Sequence, residues 1–178
     1  MSLRAFWISL VLLAVGLCGT ARATTLVMPD GTARPQPFQA WVDAALVPTP
    51  PGEVTLSLDG CPGEPEIASC APEGQGVVAL SRDWADRHVV LHELGHVFDD
   101  LMPAWARTQF MRIMHRRGAW APAQASTPPN EQFAEAYALC AVRPFLRARH
   151  YAAYGYAPTP ARHERACALI RRAGAAML

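Results

Sequence analysis

Lysine is absent from this sequence of 178 residues, and the remaining charges nearly balance. Without Arg4 and Arg22, which lie in the N-terminal segment, 14 arginines face 15 acidic residues. The sequence has no basic stripe of the kind that binds nucleic acid, and no acidic tract that would attract a charged partner. Internal repeats and low-complexity segments are lacking too. These absences argue against nucleic acid as a partner and favour one compact domain.

The N-terminus differs in composition from the rest of the chain. In MSLRAFWISLVLLAVGLCGTARA, residues 1–23, Arg4 precedes an apolar stretch over residues 6–17, and the segment ends at Ala23 in a small-x-small pattern. This order is typical of a secretory signal peptide cleaved after Ala23. The apolar stretch is too short to span a membrane, which takes about 20 residues. Lipid attachment at Cys18 is disfavoured because the preceding residue is bulky. We therefore expect a secreted or periplasmic protein with no membrane anchor after cleavage.

Four cysteines follow this segment, and they lack the CxxC spacing of a zinc site: Cys61, Cys70, Cys140 and Cys167. An even number of cysteines in an exported chain predicts two disulfides, for which three pairings are possible. Local pairing, Cys61 with Cys70 and Cys140 with Cys167, is favoured. The first two flank a short loop rich in proline, glycine and glutamate, and the other two lie in late helical segments.

Residues 24–178 are predicted to form a single α+β domain, with a small sheet followed mostly by helices. After an arm that has room for one short strand, FQAWVDAAL has helical spacing, and strands are predicted at 54–58 and 77–81. The next helix is expected to begin at a cap, Ser81 or Asp83, and to end near Leu101. Later helices are predicted at 104–117, 131–142 with Asn130 as the cap, 144–153, and 160–173 with Thr159 as the cap.

The pentapeptide HELGH, residues 92–96, places two histidines on one side of a helix. Residues four apart differ by about 40° around the axis and by about 6 Å along it, so His92 and His96 can both reach one metal ion. Glu93, between them, can reach a metal-bound water without binding the metal. That arrangement suits zinc hydrolysis, in which the carboxylate takes the proton of a water whose pKa the ion has lowered.

The same five residues could belong to an ordinary helix whose histidines bond to neighbouring side chains. The surrounding residues weigh against that alternative, because Val89, Val90, Leu91 and Leu94 indicate a buried helix. Two histidines and a glutamate are unfavourable in such a place unless they have a partner. We therefore favour a metal site.

A catalytic zinc keeps three protein ligands and one open position, so a third ligand is needed. The extension HExxHxxGxxH fails, since Asp99 and Met102 stand where its glycine and last histidine belong. Downstream, Glu131 and Glu135 lie four apart on a predicted helix. One would bind zinc, and the other would accept a hydrogen bond from a ligand histidine. The residues alone do not say which does which.

Two aspartates follow the second histidine of the motif. Asp100 lies on the His96 face of the helix and can accept a ring N–H from that histidine. Solvation of the helix end is an equal alternative for Asp100. Asp99 is a less favoured third ligand because the spacing from His96 on the same helix is tight.

The pair HELGHVFDD and NEQFAEAYA resembles the gluzincin metallopeptidases, most closely the catalytic domain of anthrax lethal factor and small secreted relatives. The resemblance implies a zinc-dependent endopeptidase with a minimal zincin-like fold that acts on proteins or peptides. It assigns the third zinc ligand to Glu131 and a supporting role to Glu135. We further expect a monomer, in which an edge strand near Val77–Ser81 holds the substrate backbone in extended form.

The sequence departs from the lethal-factor pattern at the residue that assists the oxyanion. That pattern has a tyrosine shortly before the glutamate helix, where this chain has Gln124. The oxyanion donor is therefore unknown. Five substitutes are available, each better explained by packing or surface exposure: His115, Tyr137, Tyr151, Tyr154 and Tyr156. His88, one turn before His92, is interpreted as a surface residue rather than a ligand.

Two alternatives to a peptidase stay open. The chain could be a non-catalytic module of zincin fold that binds a protein or wall component, although the presence of Glu93 argues against it. It could also be an exported zinc amidase acting on cell-wall peptides, since the zinc chemistry is common to both enzymes.

Overall fold

A computed structural model describes residues 23–32, 35–64, 66–122 and 126–178. The signal-peptide prediction, apart from Ala23, and Gln124 lie outside these residues. The described chain is an α+β domain, as the sequence predicts, with a four-stranded sheet and five α-helices. Within this part of the chain, no helix combines the length and apolar character needed to cross a membrane.

The sheet has the order β1-β2-β4-β3, built from β1 (Thr24–Val27), β2 (Gly52–Ser57), β3 (Ser69–Cys70) and β4 (Val77–Leu80). Strands β1, β2 and β4 are parallel, and β3 pairs antiparallel with β4. The prediction that residues 77–81 form an edge strand is wrong, because β4 is covered by β3. A strand of two residues has too little alternation to be recognised in the sequence.

The helices are α1 (Phe38–Asp43), α2 (Arg87–Leu101), α3 (Ala104–Met114), α4 (Pro129–Val142) and α5 (Pro160–Ala175). Asp86 caps α2, since its side chain accepts a hydrogen bond from the Val89 N–H, whereas Ser81 and Asp83 lie at a preceding 3-10 turn. Thr159 caps α5 as predicted. Asn130 lies inside the first turn of α4 and does not cap it.

The helix predicted at 144–153 is absent from the structure, which has irregular backbone there and a 3-10 turn at Ala153–Gly155. Leu146 is buried in this segment, whereas its neighbour Phe145 is exposed. A helix with so little apolar surface to bury gains little from packing.

Helices α2 and α4 pack directly against each other in the core, and Gly95 explains how closely they approach. A Cβ atom at Gly95 would lie 2.9 Å from the Ala134 Cα and 3.1 Å from the Tyr137 Cβ. Around this contact the rings of Phe98, Phe133 and Tyr137 are fully buried. The glycine of HELGH therefore lets the histidine helix approach the glutamate helix closely.

Both favoured disulfides are present. Cys61 bonds Cys70, with Cα atoms 5.8 Å apart, and ties the loop before β3 to that strand. Cys140 bonds Cys167, with Cα atoms 5.4 Å apart, and joins α4 to α5 across the core. The two cross-links hold the edge strand and the glutamate helix, the elements on either side of the cavity described next.

Candidate metal centre

Three side chains from α2 and α4 converge beside a cavity. The Nε2 atom of His92 lies 3.1 Å from Glu131 Oε2, and that of His96 lies 3.3 Å from Glu131 Oε1. The histidines are one helical turn apart, as the sequence predicts, and Glu131 stands in the first turn of α4. Thus one carboxylate faces both ring nitrogens.

The spacing of these atoms fits a metal ion. One ligand atom from each of the three residues lies within 4.8 Å of the others. Ligands at about 2.0–2.1 Å in a tetrahedron are separated by about 3.3 Å, which is close to the observed nitrogen–oxygen distances. Two imidazoles and one carboxylate form a donor set that leaves a fourth position for water. The site residues therefore could hold a metal ion.

Glu93 is close to this group but outside the set of donor atoms. Its side chain is buried, with 4% of the residue exposed. It lines a cavity of about 450 Å³ together with His96, Glu131 and residues of the β3 edge strand. A carboxylate in that position can act on a molecule held in the cavity without occupying a ligand position.

Glu135 holds His92 from the opposite side of the ring. The Nδ1 atom of His92 lies 3.2 Å from Glu135 Oε2, and the Nε2 atom of His88 lies 3.0 Å from Glu135 Oε1. If Nδ1 carries the proton, it donates to Glu135 and leaves the Nε2 lone pair directed at the metal position. His88 is exposed and is not among the three potential ligands, as the sequence predicts, but its ring also bonds Glu135, which the sequence did not indicate.

The charges in this cluster stabilise one another. Burial lowers the pKa of His92, but hydrogen bonds to Glu131 and Glu135 outweigh burial and raise it to about 9. Burial raises the pKa of Glu131, but the two histidines hold it at about 2. The pKa of Glu135 is likewise about 2, because His88 and His92 outweigh burial. Without a metal the cluster is therefore an ion-pair network, and a metal must displace the proton of His92.

The two aspartates after His96 do not hold that histidine by hydrogen bonds. Asp100 Oδ2 accepts a hydrogen bond from the Gly74 N–H at 2.6 Å, which corrects the expectation that it accepts from His96. Asp99 accepts from Arg107 Nε at 2.8 Å and from Trp120 Nε1 at 2.7 Å. Both aspartates therefore anchor loops and neighbouring helices around α2.

A second group of potential ligands lies between α4 and α5 but is already committed. Cys140 and Cys167 are joined in a disulfide. The ring of His163 is bonded on both sides, its Nδ1 to the Tyr156 hydroxyl at 2.9 Å and its Nε2 to the Arg143 carbonyl at 2.7 Å. We assign no metal to this group.

The five candidate oxyanion donors fall into different surroundings. The hydroxyl of Tyr137 is buried and donates to the Pro48 carbonyl, and that of Tyr156 bonds His163. Tyr151 is 74% exposed, and His115 lies near Arg162 on the surface. Tyr154 differs from all of these because it lines the cavity with Glu93 and Glu131. Burial and the nearby glutamates raise the pKa of the Tyr154 hydroxyl, so it keeps its proton.

Replacing Glu135 with glutamine is expected to lower metal affinity about 10–100-fold, the usual loss when the group that orients a ligand histidine is changed. His88→Leu should cause a smaller loss in the same direction, since Glu135 keeps its bond to His92. Metal affinity is measured by competition with a coloured chelator. His150→Leu, in the loop after α4, is the matched control for removing an imidazole. Unchanged affinity in Glu135→Gln would show that this carboxylate does not orient His92.

Apart from His88, the residues that meet in this cluster belong to the two segments, HELGHVFDD and NEQFAEAYA, that carry the resemblance to gluzincins. Gly95 lets the two segments touch, and the side chains of both point to one cavity. Comparisons with models of protein families, with curated proteins and with solved structures find no match for this chain, so its own geometry carries the functional argument.

Proposed function

We propose that this protein is an exported, monomeric zinc-dependent metallopeptidase of the gluzincin type that hydrolyses internal peptide bonds. The observation that carries the proposal is the convergence of His92, His96 and Glu131 on one point, beside the carboxylate of Glu93, which bonds no other described residue. An ion-pair network alone would have no need of a buried glutamate facing the same cavity. The two disulfides are compatible with an oxidising compartment.

Each side chain has a separate task in this proposal. His92, His96 and Glu131 hold the ion, and Glu135 keeps the His92 ring in the tautomer that binds. Zinc, when bound, would polarise the substrate carbonyl and lower the pKa of a bound water to about 7. Glu93 accepts the proton of the attacking water as the new carbon–oxygen bond forms. It then passes that proton to the amine nitrogen as the peptide bond breaks.

The substrate would lie along β3. Ser69 and Cys70 pair with β4 on one side, and they also line the cavity that contains Glu93 and His96. An extended peptide can pair with the open backbone of such an edge strand. We therefore assign the pairing with the substrate backbone, which the sequence predicts for residues 77–81, to β3. The Cys61–Cys70 disulfide holds this strand in place.

The proposal is tested on the chain from residue 24 onward, purified with its disulfides intact. We expect one zinc per chain, hydrolysis of casein and of an unstructured peptide library, loss of hydrolysis after chelation, and recovery on adding zinc. A protein that binds no stoichiometric zinc would refute the site. Zinc binding with cleavage of cell-wall peptides alone would favour the amidase, and zinc binding without any hydrolysis would favour the binding module.

A further inference from the structure

We propose that Tyr154 is a catalytic residue whose hydroxyl donates a hydrogen bond to the substrate oxygen that gains negative charge when the scissile carbonyl is attacked. The inference rests on the proposed function and supplies the donor that the gluzincin pattern expects before the glutamate helix. In this chain the donor comes instead from the loop that follows α4.

Tyr154 lines two neighbouring cavities beside the candidate metal centre. It shares a cavity of about 450 Å³ with Glu93, His96 and Glu131. It also lines a cavity of about 250 Å³ with His92 and Glu135. Its ring lies over His92, with centroids 5.2 Å apart and planes inclined by 32°.

The backbone of the loop fixes Tyr154 in an unusual conformation. Its φ of 51° and ψ of 24° are left-handed, which is rare for a residue other than glycine, asparagine or aspartate. Gln132 Nε2, on α4, donates to the Tyr154 carbonyl at 3.1 Å. At the next residue, Gly155, a Cβ atom would lie 2.9 Å from the Thr127 side chain. The loop is therefore clamped against the glutamate helix, and strained residues of this kind concentrate at functional sites.

The hydroxyl of Tyr154 is available for a ligand in the cavity. Among the described residues it has no hydrogen-bond partner, whereas the hydroxyls of Tyr137 and Tyr156 are both committed inside the protein. With 45% of the residue exposed, Tyr154 is accessible from the cavities. A hydroxyl beside the cavity that is not held by an internal partner is free to donate to a bound substrate, and such donors stabilise developing charge.

The chemistry requires no proton transfer from tyrosine. As the hydroxide oxygen bonds to the carbonyl carbon, the carbonyl π electrons move to its oxygen, and the Tyr154 O–H donates a hydrogen bond to that oxygen. When the carbon–nitrogen bond breaks, those electrons re-form the carbonyl and the hydrogen bond weakens. The phenol proton stays on Tyr154 throughout, while the transferred proton travels through Glu93.

The test is Tyr154→Phe, which removes one oxygen and keeps the ring over His92. We expect kcat to fall about 100-fold, at the lower end of the loss for one oxyanion donor, with KM and zinc content little changed. A phosphinic peptide, whose tetrahedral group carries an extra oxygen like the transition state, should bind about 100-fold more weakly. A thiol peptide, which has no such oxygen, should bind equally well. Tyr151→Phe makes the same chemical change at an exposed site and is the control.

Two results would overturn the proposal. Equal affinity of the wild type and Tyr154→Phe for the phosphinic peptide would show that the hydroxyl makes no such bond, whether or not the protein hydrolyses peptides. Equal weakening of the phosphinic and thiol peptides, or loss of zinc, would mean that Tyr154 only shapes the site. A wild type that hydrolyses no peptide contradicts the proposed function instead, and the phosphinic comparison still decides the role of Tyr154.

Discussion

Glu93→Gln is expected to lower kcat by about 10²–10⁴-fold while leaving zinc content unchanged, because a glutamine has the same shape but cannot accept a proton from water. The side chain is 4% exposed and faces the cavity that holds His96 and Glu131. It is not among the three residues whose donor atoms converge. The substitution should therefore separate catalysis from metal binding. The measurement is the rate of peptide hydrolysis at saturating substrate, together with zinc content by mass spectrometry.

Glu164→Gln is the matched control for Glu93→Gln. It makes the same chemical change at an exposed position on α5, remote in sequence from the candidate metal ligands. Full activity is expected. If Glu93→Gln bound zinc and kept full activity, the assignment of the general base would be wrong. If it lost zinc, Glu93 would instead be part of the metal-binding group.

Glu131→Gln is expected to lower zinc affinity more than about 100-fold. That is a larger loss than the one expected when a residue that only supports a ligand is replaced. Glu131 is the carboxylate that reaches the Nε2 atoms of both histidines, at 3.1 Å and 3.3 Å. A neutral amide oxygen is a much weaker ligand than a carboxylate. Activity should vanish at low zinc and return only in part at high zinc. Affinity is measured by chelator competition and activity by a zinc titration.

The comparison of Glu131→Gln with Glu135→Gln decides between the two glutamates. Glu135 meets the Nδ1 atom of His92 and the ring of His88, on the far side from the Nε2 atoms that Glu131 faces. We therefore expect the greater loss of zinc in Glu131→Gln. The reverse order would show that Glu135 is the ligand and Glu131 the supporting residue.

Much of this arrangement is determined by short-range pattern. The spacing of His92 and His96 puts both rings on one face of any helix, and the same holds for Glu131 and Glu135. The α+β class and helices α2, α3, α4 and α5 follow from strand alternation, helical periodicity and stop signals. The local disulfides follow from the even number of cysteines and their spacing. All of these features depend on residues close in sequence, and they can therefore be predicted without knowing how the helices and strands pack.

Sequence alone could not assign the two glutamates, because their distance from each histidine depends on how α2 and α4 pack. The resemblance to gluzincins favoured Glu131, and the packing agrees by turning Glu131 to the Nε2 side and Glu135 to the Nδ1 side. Gly95 controls this approach, since no larger residue fits against Ala134. The contribution of His88 could not be found in the same way, because its partner is 47 residues away in the chain.

The tertiary structure also decided what surrounds the candidate metal centre. A two-residue strand, β3, became the open edge because it pairs with β4 on one side only, whereas the sequence pattern pointed to β4. Tyr154 reached the site because its loop folds back on α4 through Gln132, a contact between residues 22 apart in the chain. The sequence by itself determined which helices carry the candidate metal ligands. Long-range packing determined which side chains face one another, because such contacts depend on the positions of whole elements.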